Sequence, residues 1–186
     1  MKKVLVLIAM VAMSAAASAQ LYLKPMVGAT LANVTKLDKD YKFGLAAGAE
    51  LEYFVAPSFS LTGGAIYSMQ GCKKADTKLN TEYINIPVLA NYYIAPGLAL
   101  KAGVQLGIKT KGKYEYDGKE LEAFSDAVKS TVFDIPVGIS YEFNDFVIDA
   151  RYNIGITNTF EINELGLKEE GKNSVFMLTV GYKFVL

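Results

Sequence analysis

Residues Ser174 to Phe184 alternate with period two: Phe176, Leu178, Val180, Tyr182 and Phe184 fall on one side of an extended chain, and Val175, Met177, Thr179, Gly181 and Lys183 on the other. Successive side chains of a strand point to opposite faces, so one face here is apolar throughout and the other is small or polar. The pattern recurs in eight segments: Leu21–Asn33, Phe43–Phe54, Phe59–Met69, Tyr83–Tyr93, Leu98–Lys109, Val132–Phe143, Phe146–Thr157 and this last one. The charges and, apart from Gly63, the glycines share one face, and the opposite face is aliphatic or aromatic. Examples are Leu45, Ala47, Ala49 and Leu51 against Gly44, Gly48, Glu50 and Glu52, and Ile148, Tyr152 and Ile154 against Asp149, Arg151 and Asn153. A sheet that is greasy outside and polar inside suits a transmembrane β-barrel. The fold class predicted is all-β, an eight-stranded antiparallel up-and-down transmembrane β-barrel. A soluble ligand-binding barrel of the lipocalin kind requires the opposite arrangement, apolar inside and polar outside.

The connections alternate in length. Val55–Ser58, Ala95–Gly97 and Asn144–Asp145 are short, whereas Thr35–Lys42, Gln70–Glu82, Lys111–Ser130 and Thr159–Lys172 are long and charged. Short periplasmic turns opposite long outer loops are the habit of outer-membrane barrels. Strands of ten to thirteen residues, at about 3.3 Å per residue and about 45° tilt, cross a bilayer core. Tyr53, Phe54, Phe59, Tyr92, Tyr141, Phe143, Phe146, Tyr182 and Phe184 lie beside the short turns or the C-terminus, and Phe43, Tyr67, Phe133 and Phe176 beside the long loops. Two such rings fit the two interfaces of a membrane.

Met1–Ala19 reads as a cleaved export signal: Lys2 and Lys3, an apolar run Val4–Ala12, and the A-x-A site Ala17-Ser18-Ala19. The barrel domain is then 20–186, and the expected location is the bacterial outer membrane, reached through the periplasm. The chain has no net charge, which gives no support for nucleic-acid binding. The single cysteine, Cys72, falls in a predicted loop, where it can form no internal disulfide. Histidine is absent, which removes the commonest catalytic base and metal ligand. No enzymatic activity, catalytic residue, metal or cofactor is expected; the loop acids Asp38, Asp40, Glu169 and Glu170 read as solvated charge.

Nine charged residues fall on the inward face: Lys24, Glu50, Glu52, Lys101, Asp134, Glu142, Asp149, Arg151 and Lys183. Eight strands leave an interior just wide enough for side chains, and charges shut inside it must pair. A salt-bridged plug is expected, with a narrow ion path as the alternative. In the loop Lys111–Ser130, Tyr114 and Tyr116 interleave with charges, and Glu120–Lys129 could form a helical turn carrying Phe124. These three aromatics are candidates for recognition, or, for the tyrosines, positions where the barrel wall runs past the membrane.

An internal repeat stands out. Asn85-Ile86-Pro87-Val88 is matched by Asp134-Ile135-Pro136-Val137, and Gly107-Ile108 by Gly155-Ile156 at a similar distance downstream. Duplicated hairpins are the unit from which such barrels grow. A proline inside a paired strand loses a ladder hydrogen bond, so Pro87 and Pro136 are expected near strand ends or at bulges.

The stretches Glu82-Tyr83-Ile84-Asn85-Ile86-Pro87-Val88, Asp149-Ala150-Arg151-Tyr152-Asn153-Ile154-Gly155 and Gly181-Tyr182-Lys183-Phe184 resemble the PorT-like outer-membrane β-barrel proteins of the Bacteroidetes. The resemblance implies an eight-stranded barrel similar to OmpA and OmpX, and no catalytic residues. The functional expectation is a non-enzymatic outer-membrane protein. Its partners would be membrane lipid and, through the long loops, envelope proteins or extracellular ligands. The alternatives are a small pore, and a component of a secretion or adhesion assembly.

Overall fold

The computed structural model describes residues 21–34, 40–74, 77–116, 119–120, 130–158 and 172–186. The proposed export signal Met1–Ala19, residues 121–129 with Phe124, and the acids Asp38, Glu169 and Glu170 lie outside the described residues.

Eight long strands form the wall: β1 (Leu21–Val34), β2 (Asp40–Ala56), β3 (Phe59–Lys74), β4 (Thr77–Ala95), β5 (Leu98–Tyr116), β7 (Thr131–Phe143), β8 (Phe146–Asn158) and β9 (Lys172–Tyr182). Two short pieces complete it: β6 (Lys119–Glu120) pairs with the end of β5, and β10 (Phe184–Val185) continues β9 beyond Lys183. All pairings are antiparallel between chain neighbours, and β1 closes the sheet by pairing with β9 and β10. Closure removes the open edges that a sheet cannot expose to hydrocarbon.

The inward and outward assignments hold in every strand. In β7 burial alternates residue by residue, with Val132, Asp134, Pro136 and Ser140 inside and Phe133, Ile135, Val137 and Ile139 outside. The outer surface is a continuous apolar band that includes Val27, Leu45, Val88, Val104, Ile148 and Val180. One aromatic differs from its expected place. Phe54 is not part of the outer ring; it lies inside, its centroid 5.7 Å from Tyr22 and 5.2 Å from Tyr93. Its even position on β2 already puts it on the face of Glu50 and Glu52, so parity outweighs proximity to the turn.

Two further expectations are corrected, and one open choice is narrowed. The strands run from 11 to 19 residues, because β3, β4 and β5 continue well into the segments read as loops. Cys72 is in strand β3, at register with Tyr41 and Leu79, not in a loop. Of the two readings of Tyr114 and Tyr116, the ladder fits the wall: they lie in β5 opposite Leu79 and Thr77. The physical reason is common to all three. Beyond the membrane both faces of a sheet meet water, so the hydropathy alternation disappears while the ladder goes on.

Pro87 and Pro136 are neither at strand ends nor at bulges. Both are buried in mid-strand and face the lumen. The β3–β4 pairing skips two steps between Gly63↔Val88 and Ile66↔Asn85 and then resumes in the same register. The β5–β7 pairing does the same between Ala102↔Val137 and Gln105↔Asp134. Each proline turns its missing N–H to such a gap, so no bulge is needed, and a glycine, Gly64 or Gly103, stands at the opposite position.

The lumen as candidate functional site

All nine predicted lumenal charges point inward. They separate into two networks and one outlier.

The central network joins β1, β2, β5 and β8. Lys24 and Glu50 are direct cross-strand neighbours, and the Lys24 Nζ–Glu50 Oε2 distance is 2.8 Å. Arg151 reaches across the barrel from β8 to β2: Nη1 donates to Glu50 Oε1 at 2.7 Å and Nη2 to Glu50 Oε2 at 3.3 Å. The same guanidinium donates from Nε to Asp149 Oδ1 and from Nη2 to Asp149 Oδ2, both at 2.8 Å. Lys101 bonds to Asp149 from the far side. Arg151 is 1% exposed and Glu50 0%. The planar guanidinium holds two carboxylates in paired geometry, something a lysine at position 151 could not do. Glycines make the space. A Cβ on Gly64 would lie 2.9 Å from Glu50 Cγ, and one on Gly138 2.8 Å from Arg151 Cβ. The result is a plate of five charges across the barrel.

The second network lies nearer the short turns. Lys183 Nζ is 3.0 Å from Glu52 Oε2 and 2.8 Å from Glu142 Oε1. It also sits 4.6 Å from the Tyr22 ring centroid and 4.8 Å from that of Phe54, within the range of a cation over an aromatic face. The Tyr93 hydroxyl stands between the carboxylates, 2.8 Å from Glu52 Oε1 and 2.6 Å from Glu142 Oε1. Ser60 Oγ donates to Glu52 Oε1 at 2.5 Å, and Asn91 Nδ2 donates to Ser60 Oγ at 2.8 Å and to Thr62 Oγ1 at 2.6 Å. Tyr22, Ser60, Thr62, Asn91 and Tyr93 were not singled out as site residues. The signal that finds them is inward parity beside a charge.

Asp134 is apart. Its partner is neutral: Gln105 Nε2 donates to Oδ2 at 3.0 Å. Part of the lumen is apolar, with Met26, Ala46, Ile66 and Met177 packed together on β1, β2, β3 and β9.

The comparisons agree with this architecture. Residues 4–184 match the family model described as outer membrane protein beta-barrel domain. The chain belongs to that family. As a member of it, the protein resides in the bacterial outer membrane. The fold is similar to Neisserial surface protein A, at TM-score 0.58 and 15% identity, covering 90% of this chain and 99% of that one. It is also similar to Ail, the attachment invasion locus protein of Yersinia pestis, solved in complex with the heparin analogue sucrose octasulfate, at TM-score 0.53 and 18% identity, covering 89% and 99%. No curated protein sequence matches the chain.

Proposed function

We propose that the protein is a non-enzymatic barrel whose lumen is a structural stopper and whose business is done by the wall and loops on its long-loop side. The observation that carries this reading is the central plate. Arg151 joins β8 to Glu50 on β2, while Lys24 and Lys101 fill in around the two carboxylates. An ion crossing here would have to break charge pairs that are buried and mutually satisfied, and leaving one such charge unpaired costs several kcal/mol. This weighs against the small-pore alternative.

The wall offers the surface. On the β2 to β5 extensions, Lys73 stands at register with Lys78 on one side and Asp40 on the other, Lys78 also with Glu115, Asn80 with Lys113, and Glu82 with Lys111. Among the side chains described there, Lys111 is exposed and its Nζ lies 3.6 Å from Glu82 Oε2. Lysines on neighbouring strands at a sheet spacing of about 4.8 Å, with acids between them, offer cations that a polyanion can engage. The structural similarity to Ail, whose solved complex holds a heparin analogue, supports a sulfated polysaccharide as the ligand class. The test is a calorimetric titration of sucrose octasulfate into the detergent-solubilised protein and into a variant with Lys73, Lys78, Lys111 and Lys113 changed to Gln. Saturable binding that is lost in the variant is the expected result. No binding to the native protein would discard the polyanion reading. The assembly alternative, with the finer PorT-like resemblance, would then gain from specific co-purification with envelope proteins. Processing before Gln20 belongs to the same proposal, and the intact mass of the membrane-extracted protein tests it.

A further inference from the structure

The internal repeat has a lumenal consequence. In the β4–β5 hairpin Asn85 pairs with Gly107 and Pro87 with Gln105. In the β7–β8 hairpin Asp134 pairs with Gly155 and Pro136 with Asn153. The two copies thus place Asn85 and Asp134 at equivalent positions, and Gln105 and Asn153 likewise. They meet at the β5–β7 junction, where Gln105 bonds to Asp134. All four side chains are at least nine-tenths buried: Asn85 and Gln105 are 1% exposed, Asn153 2% and Asp134 4%.

Several polar atoms of this belt, most of them oxygens, lack a partner among the described residues. Asn85 Oδ1, Gln105 Oε1, both polar atoms of Asn153, and the hydroxyl of buried Tyr83 have no hydrogen-bond partner among the described residues. Asn85 spends its amide hydrogens on Ser68 Oγ at 2.8 Å, and Gln105 spends one on Asp134, so their oxygens are left over. Charge points the same way. The two networks hold Lys24, Lys101, Arg151 and Lys183 against Glu50, Glu52, Glu142 and Asp149, which balance. Asp134 has no ion-pair partner among the described residues. Lys42 on β2 and Lys109 further up β5 also fall on the inward face, but both are only half-buried and each makes an interaction of its own.

We propose that Asp134 and the oxygens of Gln105, Asn153 and Asn85, with the Tyr83 hydroxyl beside them, form a site for one sodium ion. The donors are all oxygen, which selects hard cations over soft ones. A single carboxylate without an ion-pair partner matches a single positive charge. A proton on Asp134 would also remove the charge, but it would satisfy at most one of the leftover acceptors.

The test uses the detergent-solubilised native protein, with sodium chloride exchanged for choline chloride at constant ionic strength. The thermal unfolding midpoint should rise with sodium along a single-site saturation curve. Asp134→Asn should abolish that dependence. Asn153→Ala, which keeps every charge, should raise the half-saturating sodium concentration about tenfold; it is the deciding variant if Asp134→Asn does not fold. A native midpoint indifferent to sodium would overturn the site and leave Asp134 protonated. A sodium dependence that survives in both variants would overturn it too, by placing the ion elsewhere.

Discussion

From the central plate down to the short turns, each lumenal charge has an opposite charge within 4.0 Å. Beyond the plate, toward the long loops, Asp134 has a neutral amide, and Asn85 Oδ1, Gln105 Oε1 and both polar atoms of Asn153 have no partner among the described residues, against Asn91 Oδ1 on the turn side. Both halves are lined by the same closed sheet. They differ in how their polar groups are satisfied. The turn side is cross-braced, because long flexible cations reach over intervening strands: Arg151 crosses from β8 to β2, and Lys101 from β5 to β8. The long-loop side is lined by short amides that reach only their neighbours. Stability should therefore be concentrated below, and adaptability to a small ligand above.

Breaking the brace is the strongest way to challenge this contrast. Arg151→Ala leaves Glu50 and Asp149 short of a partner and should cost about 3–5 kcal/mol, read as a lower urea midpoint of the detergent-solubilised barrel. Lys183→Met removes the only cation between Glu52 and Glu142 among the described residues. It should cost about 3 kcal/mol, the lower end of the same range, since Glu142 is partly exposed. Ile154→Ala, on the outer face, should cost about 2 kcal/mol through lost contact with hydrocarbon, and it should leave the lumen unchanged. Asn153→Ala, measured in choline chloride, should cost about 0.5 kcal/mol or less. An amide that bonds to no protein group gives up little when removed. An Asn153→Ala effect as large as that of Arg151→Ala would erase the difference between the halves.

The barrel was legible in the sequence because a membrane forces the same alternation on every strand, so Leu45 through Glu52 and Ile148 through Asn153 carry fold and orientation together. The nine lumenal charges were legible for the same reason. Their pairing was not. Arg151 and Glu50 are separated by 101 positions in the chain and do not sit on adjacent strands, so only barrel closure brings them together. Tyr93 and Asn91 escaped notice as site residues because a neutral side chain on an inward position looks unremarkable until a carboxylate is placed beside it. Pro87 and Pro136 misled because a local rule about lost hydrogen bonds takes no account of a skipped ladder step with glycine across from it. The wall beyond the membrane, including Cys72, was hidden because water on both faces removes the periodic signal, and for the same reason Tyr114 and Tyr116 stayed open between wall and loop.

The account stands most directly on the claim that the plate closes the lumen. Single-channel recording of the native protein in planar bilayers tests it. The predicted record has no conductance steps, with steps emerging when Arg151 is changed to Ala. Stable ohmic steps from the native protein, unchanged by Arg151→Ala, would contradict it.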